Sequence, residues 1–189
     1  MKQIGILAIQ GDFAKHKDMI RSLGHSALEI RIPEQLADTD ALIIPGGEST
    51  TFVKIFSMSD FTRQIKAYAQ NHPIMGTCAG LIILAREVDN LPAEPLNLID
   101  ISVARNAYGR QRESFIDKVS ISLNGTSQEF GGVFIRAPKI IQTGLAVKIM
   151  GTHNGDVVLV RENNILACTF HPELTSDPAI HKYFIDNFI

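Results

Sequence analysis

The chain has 189 residues, of which 45% are hydrophobic and 20% charged, and 18 Lys plus Arg against 20 Asp plus Glu leave a formal net charge of −2. This composition is typical of a globular protein, and a single domain over residues 1–189 is expected to bury about 70% of the unfolded chain's surface. Because no dense run of Lys and Arg occurs, neither nucleic acid nor an anionic membrane is expected as a partner.

The cysteine content and the apolar runs indicate the compartment. Cys78 and Cys168 are the only cysteines, too few for a disulfide scaffold and compatible with a reducing environment. The apolar run at residues 4–9 has the length of a strand, and no run approaches the roughly 20 residues that a membrane-spanning helix needs. We therefore predict a cytoplasmic protein with neither a signal peptide nor a membrane span.

The first half of the chain alternates apolar runs with amphipathic segments. Strands are predicted at residues 4–9, 27–32, 41–44 and 73–76, and helices at residues 12–23, 61–69 and 79–85. This alternation predicts right-handed crossovers and a mostly parallel sheet covered on both faces.

The second half contains short strand candidates with few helices between them. They lie at residues 99–104, 119–123, 133–135, 146–150, 157–160 and 165–170. This succession of short strands predicts antiparallel strands added to the parallel sheet. A hairpin turn is predicted at residues 154–156, a loop at residues 90–97, and a closing helix at residues 178–188 with Asp177 as its cap.

The sharpest local signal is Gly76-Thr77-Cys78-Ala79-Gly80, between a predicted strand and a predicted helix. Gly-x-Cys-x-Gly is the cysteine version of the nucleophile elbow, in which flanking glycines relieve crowding in a strained turn. Such a turn presents Cys78 at a helix N-terminus, which favours the thiolate, and leaves the Ala79 N–H free to bind an oxyanion. The alternative is a glycine-rich turn with a structural cysteine.

A partner base follows the last predicted strand, in Phe170-His171-Pro172-Glu173. His171 can take the thiol proton and later protonate a leaving amine, and Glu173 can accept a hydrogen bond from the other ring nitrogen. Alone, these residue types are more typical of a surface histidine and a solvated carboxylate. Together with an elbow cysteine, they predict a catalytic triad.

A third motif, PGGESTT at residues 45–51, also follows a predicted strand. The adjacent Gly46 and Gly47 let the backbone approach a ligand, and the Gly47 N–H is predicted as a second oxyanion donor. A phosphate-binding loop is the rival, but the Gly-Lys-Ser/Thr of a P-loop is absent. An ordinary strand-to-helix turn capped by Ser49 or Thr50 remains the other alternative.

These three motifs in this order resemble the class I, or triad, glutamine amidotransferases. Further motifs narrow the resemblance to the family of glutaminase subunits of pyridoxal 5′-phosphate synthases. They are LAIQGD at 7–12, PGGESTT at 45–51, VARN at 103–106, YGRQ at 108–111, VFIRAP at 133–138 and FHPELT at 170–175. The resemblance spans nearly the whole chain and implies an α/β fold, a flavodoxin-like three-layer sandwich whose mostly parallel sheet is flanked by helices.

The resemblance also implies an activity and a partner. It implies hydrolysis of L-glutamine to glutamate and ammonia, without a cofactor or metal, and transfer of the ammonia to a separate (β/α)₈ synthase subunit. That subunit condenses ammonia with a pentose phosphate and a triose phosphate. The two subunits are expected to form a large symmetric complex with a dodecameric synthase core. The glutamine-binding positions that the resemblance implies are Gly46, Gly47, Glu48, Arg105, Ile135 and Arg136.

Two other function classes remain open from the sequence. One is a flavodoxin-like cysteine hydrolase, such as a peptidase or a deglycase, and the other is a regulatory binding module with a decayed site. Arg110 and Arg112 could belong to a solvated loop instead of a binding surface. Cys168 is predicted to lie in the core. The other histidines do not have the spacing of zinc ligands, so surface positions are predicted for them; they are His16, His25, His72, His153 and His181.

Overall fold

The computed structural model of the chain describes residues 1–105, 107 and 114–189. Asn106, the YGRQ motif at 108–111 and Arg112 lie outside the described residues. The first half contains β1 (Gln3–Leu7), α1 (Phe13–Ser22), β2 (Ser26–Ile30), β3 (Ala41–Ile44), α2 (Ser49–Ser57), α3 (Phe61–Tyr68), β4 (Ile74–Thr77), α4 (Ala79–Leu84) and β5 (Ala85–Val88). The second half contains β6 (Ile99–Ala104), β7 (Ser114–Leu123), β8 (Thr126–Ile135), β9 (Lys139–Thr143), β10 (Lys148–His153), β11 (Asp156–Glu162), β12 (Ile165–Cys168) and α5 (Ala179–Phe188).

The main sheet has nine strands in the order β2-β1-β3-β4-β12-β11-β10-β7-β8. The five strands from β2 to β12 are parallel, and β11, β10, β7 and β8 extend the sheet by antiparallel pairing. The prediction of a parallel sheet with antiparallel strands added in the second half is confirmed.

Two apolar clusters cover the two faces of the parallel strands. One contains Leu42 and Ile44 of β3 with the apolar residues of α2, α3 and α4. The other contains Ala41 and Ile43 of the same strand with residues of α1 and α5. Successive side chains of a strand point to opposite faces, so a continuous apolar strand supplies both clusters, and the result is a helix–sheet–helix sandwich.

The antiparallel half differs from the prediction in the length of its strands. β7 and β8 each have ten residues and join at Asn124 and Gly125, both with positive φ. Polar residues on their solvent-facing positions interrupt the apolar signal, which is why only residues 119–123 and 133–135 are predicted. The turn predicted at 154–156 is confirmed, because Asn154 and Gly155 have positive φ between β10 and β11.

Two strands and one α-helix of the structure are absent from the predicted set. β5, β6 and β9 form a separate three-stranded sheet, of which only β6 is predicted. The absent helix is α2, starting directly after the glycine pair at 46–47. Residues 90–97 contain no helix or strand, as predicted. The N-cap of α5 is Pro178 and not the predicted Asp177, although Asp177 Oδ1 accepts a hydrogen bond from the Ala179 N–H at 2.9 Å. Among the described residues, no helix is long and apolar enough to span a membrane.

Candidate active site

The predicted site residues converge at the carboxyl ends of four adjacent parallel strands. β1, β3, β4 and β12 lead respectively into Gly11, the loop at 46–48, Cys78 and His171, and all four segments line one pocket of about 210 Å³. This edge of an open α/β sheet is where such folds bind ligands. A pocket of this size suits a substrate smaller than the drug-sized ligands of typical sites.

The turn at Cys78 is strained, as the elbow motif predicts. Cys78 has φ 50° and ψ −102° between β4 and α4. A Cβ on Gly80 would overlap the carbonyl oxygen of Ile44, and a Cβ on Gly76 would lie 2.5 Å from Leu84 Cδ1. Gly80 therefore lets α4 pack directly against β3, and Gly76 lets it pack against β4. This packing holds the cysteine in its conformation.

The three residues of the predicted triad lie close together. His171 Nδ1 lies 2.7 Å from Glu173 Oε1. Cys78 and His171 line the same pocket, and the interaction with Cys78 contributes to the raised pKa of His171. The Cys78 Sγ also approaches the Ile135 carbonyl oxygen at 3.7 Å. The backbone N–H of His171 donates a hydrogen bond to the backbone carbonyl of Val133 at 2.8 Å. The end of β8 therefore holds His171 beside Cys78.

The charges within the triad stabilise one another. Burial lowers the pKa of His171, but its hydrogen bonds and attraction to Cys78 and Glu173 outweigh burial and raise that pKa to about 10. Burial raises the pKa of Glu173, yet the contact with His16 and the hydrogen bond from His171 lower it to about 2. Glu173 is therefore a carboxylate at neutral pH, able to orient His171 and to stabilise its imidazolium form.

Cys168 differs from Cys78 in its surroundings. It is buried on β12 within the cluster that α1 and α5 cover. Burial, with the nearby Glu173 and Cys78, raises the pKa of its thiol well above the usual value. Cys168 is thus a protonated core residue, as predicted.

A glutamine side chain holds the candidate oxyanion loop. Gln10 Oε1 accepts a hydrogen bond from the Glu48 N–H at 3.0 Å, and Gln10 Nε2 donates to the Glu48 carbonyl at 3.0 Å. Gly47 has φ 153°, and a Cβ there would lie 2.9 Å from Gln10 Oε1. No functional role is predicted for Gln10 from the sequence, although it lies in the LAIQGD motif at 7–12.

The predicted substrate-binding residues all lie in the wall of the pocket. They are Gly46, Gly47, Glu48, Arg105, Ile135 and Arg136. Arg105 Nη1 donates to the Asn90 carbonyl at 2.7 Å, which ties its guanidinium to the preceding loop. Ala79 is the first residue of α4, where a backbone N–H has no acceptor within the helix.

The prediction of surface roles is wrong for three of the five histidines. His16, His153 and His181 are buried, because helices α1 and α5 and strand β10 turn them inward. His16 Nε2 lies 3.4 Å from Glu173 Oε2, directly behind the triad. No group of three or more His, Cys, Asp or Glu that could hold a metal ion occurs in the described part of the chain.

A sequence model of the SNO glutamine amidotransferase family matches residues 6–189. The chain belongs to the SNO glutamine amidotransferase family. It is 47% identical over 185 residues to the pyridoxal 5′-phosphate synthase subunit PdxT of Thermotoga petrophila, covering 97% of this chain and 98% of the relative. The protein of the same name from Desulforudis audaxviator is 42% identical and covers 98% of both chains.

Solved structures agree with this family membership. A crystal structure of a glutamine amidotransferase matches with a TM-score of 0.90 and 41% identity over 97% of each chain. A putative GMP synthase subunit from Thermoplasma acidophilum matches with a TM-score of 0.72 at 20% identity, which supports the fold alone. The flavodoxin-like, class I architecture predicted for this family is thus confirmed.

Proposed function

We propose that the protein is the glutaminase of a pyridoxal 5′-phosphate synthase: it hydrolyses L-glutamine to L-glutamate and ammonia, which a synthase subunit uses to make the vitamin B6 cofactor. One observation carries this proposal. Cys78 and His171 line one pocket, and His171 Nδ1 lies 2.7 Å from the buried Glu173 Oε1, in a protein that matches PdxT subunits over nearly its full length. The peptidase or deglycase alternative is not favoured, since the relatives are PdxT subunits.

In the first half of the reaction, the Cys78 thiolate attacks the carbon of the glutamine side-chain amide. The carbonyl oxygen becomes an oxyanion, which the N–H groups of Gly47 and Ala79 would hold. When the tetrahedral intermediate collapses, the C–N bond breaks and His171 gives its proton to the departing nitrogen. Ammonia leaves and a thioester on Cys78 remains.

In the second half, water hydrolyses the thioester. His171, now neutral, takes a proton from the water as the hydroxyl attacks the thioester carbon. The same oxyanion site holds the second tetrahedral intermediate, and its collapse releases glutamate and returns the Cys78 thiolate beside protonated His171. Throughout, Glu173 keeps the ring in one tautomer and stabilises its charge.

The charged groups of the pocket wall suit the amino-acid end of glutamine. Arg105 and Arg136 offer guanidinium donors to the α-carboxylate. The Glu48 side chain and the backbone carbonyl of Ile135 offer acceptors to the α-ammonium. This arrangement would leave the side-chain amide to reach Cys78.

We further propose how the glutaminase works within its assembly. All 189 residues would form a single cytoplasmic glutaminase domain that docks on a (β/α)₈ synthase subunit belonging to a dodecameric core. Residues 12–18 and the loop around Glu48 would form the docking face, since Asp12 and Glu48 border the pocket. The segment around Arg110, which is also expected from the sequence to take part, lies outside the described residues. Ammonia could then cross without meeting bulk water, where protonation would make it a poor nucleophile.

An unregulated glutaminase would waste glutamine, so activity is expected to depend on docking. The peptide between Gly46 and Gly47 can rotate at little steric cost and present either a carbonyl or an N–H to the oxyanion. Loss of one oxyanion donor costs about 2.7–4 kcal/mol, or roughly 10²- to 10³-fold in kcat. Docking of the synthase would select the N–H state.

The test is glutamate release at saturating glutamine, measured for the purified subunit and for its complex with the synthase, together with glutamine-dependent cofactor formation. We expect low turnover alone and high turnover in the complex. Full turnover by the subunit alone would contradict the docking switch but not the triad chemistry. No glutamate release in either state would overturn the proposed function.

A further inference from the structure

Two buried histidines that the mechanism does not use extend the triad into the core. His16 on α1 and His181 on α5 are both fully buried. His16 Nδ1 lies 2.9 Å from His181 Nε2, and His16 Nε2 lies 3.2 Å from Thr77 Oγ1 and 3.4 Å from Glu173 Oε2. An unbroken line of polar contacts therefore runs from α5 through α1 to the carboxylate of the triad.

Burial decides the charge state of these two rings. It lowers the pKa of His16, and it lowers that of His181 to about 3. Both rings are therefore neutral at physiological pH, and a neutral imidazole has one N–H donor and one bare nitrogen acceptor. The contacts can then be assigned a direction.

Only one direction leaves the carboxylate facing a donor. If His181 Nε2–H donates to His16 Nδ1, then His16 carries its proton on Nε2 and shares it between Thr77 and Glu173. His181 Nδ1, which has no hydrogen-bond partner in the described part of the chain, is then a bare acceptor. The opposite direction would bury an unpaired N–H on His181 and turn the lone pair of His16 Nε2 towards the carboxylate, which is less favourable on both counts.

Glu173 needs such a neighbour because its second oxygen is otherwise unsupported. Oε1 accepts from His171 at 2.7 Å, while Oε2 makes no hydrogen bond of good geometry with the described residues. Its electrostatic contact with His16 Nε2 is what opposes rotation of the carboxylate about its last bond. A rotated carboxylate would point away from His171 and release the ring.

We propose that His16, held in its Nε2–H tautomer by His181, is a positioning residue for the glutaminase reaction that fixes the orientation of Glu173 and, through it, of His171. This inference rests on the proposed function for its role in turnover. The geometry of the chain also predicts an effect on the Cys78 thiol itself, which does not require that glutamine be the substrate.

A pair of conservative variants separates positioning from packing. In His16→Gln, the amide can reach both partners: its Nε2–H₂ replaces the ring Nε2–H towards Glu173, and its oxygen accepts from His181. In His16→Asn, the shorter amide can still meet His181 but does not reach Glu173. His153→Asn is the matched control, because His153 is buried too but lies on β10 and contacts Asp117 at 2.9 Å, outside this chain of contacts.

Two readouts are measured on the complex with the synthase. The first is kcat and KM for glutamine; the second is the rate at which iodoacetamide alkylates Cys78, followed by mass spectrometry so that Cys168 is counted separately. We expect His16→Asn to lower kcat by up to about 10²-fold, the loss that a small misplacement of a catalytic group causes, with KM little changed and alkylation slowed. His16→Gln should restore both readouts, and His153→Asn should match wild type.

Three outcomes would overturn the proposal: wild-type values in His16→Asn, an equal loss in His16→Gln and His16→Asn, or an equal loss in His153→Asn. The alkylation rates separate this proposal from the proposed function. If the wild-type complex released no glutamate, the proposed function would fall, while slower alkylation in His16→Asn and its rescue in His16→Gln would still support the positioning role.

Discussion

Gly46 lies directly against the ring of His171. A Cβ on Gly46 would overlap Cε1 of that ring and come within 2.8 Å of its Nδ1. The candidate oxyanion loop after β3 and the general base after β12 are therefore in contact, although the two residues are far apart in sequence. The missing side chain at position 46 is what lets the loop and the base share one small pocket.

Gly46→Ala should strongly reduce glutaminase activity without unfolding the protein. The added methyl group would push His171 away from Cys78, and a displacement of about 1 Å can cost 10²-fold in rate. Gly131→Ala on β8 is the control, since a Cβ there meets nothing within 4 Å. The measurement is kcat in the synthase complex together with thermal unfolding. Unchanged kcat in Gly46→Ala would contradict the close packing of loop and base.

Cys78→Ala should abolish glutamine hydrolysis and leave folding and synthase binding nearly intact. The elbow depends on Gly76 and Gly80 rather than on the sulfur atom. An electrophilic glutamine analogue should label Cys78 and spare the buried Cys168. Cys168→Ala serves as the control, with activity kept and stability modestly reduced because a small core group is lost. Residual hydrolysis near the wild-type rate in Cys78→Ala would exclude covalent catalysis.

The triad should behave as one unit in a double-mutant comparison. His171→Asn is expected to be as damaging as Cys78→Ala, and Glu173→Gln less so, because Glu173 acts through His171. In the double variant of Cys78 and His171, kcat should fall little further than in either single variant. A double loss close to the product of the two single losses would show that the residues act independently.

Acid should destabilise the wild type more than the Glu173→Gln variant. Glu173 has its pKa lowered from 4.5 to about 2 in the fold, so the stability it contributes is fully present above its unfolded pKa. That contribution is lost as the pH falls from about 4.5 towards 2. Thermal unfolding against pH should therefore show a shallower acid decline in Glu173→Gln. In Glu129→Gln, which removes an exposed ion pair with Lys118, the decline should match wild type.

Arg105→Ala should raise KM for glutamine and change kcat little. Its guanidinium borders the pocket and is anchored on the Asn90 carbonyl, so its loss should weaken binding in the ground state and the transition state alike. The control is Arg63→Ala, which removes an exposed arginine of α3 that pairs with Asp60. This variant should leave KM and kcat unchanged. A lowered kcat with an unchanged KM would contradict the assignment of Arg105 to glutamine binding.

Local sequence determined the parallel strands and the motifs that follow them. Residues 41–44 are predicted and observed as the same strand, because four apolar residues before Pro-Gly-Gly leave little other choice. The strained turn at Cys78 is likewise encoded by its own two glycines. His171 and Glu173 are only two positions apart, so one short turn brings their side chains together, and the sequence alone predicts their pairing.

Tertiary structure decided which residues support these motifs. His16 and His181 are 165 positions apart and lie on helices whose sequences are amphipathic. Nothing local therefore indicates that His16 turns inward to Glu173 and that His181 turns inward to His16. Gln10 reaches the loop at 46–48 only because β1 and β3 are neighbours in the sheet. Hydrophobic periodicity reports which face of an element is buried, whereas the partner of a buried polar group depends on how the elements pack, and that is a property of the whole fold.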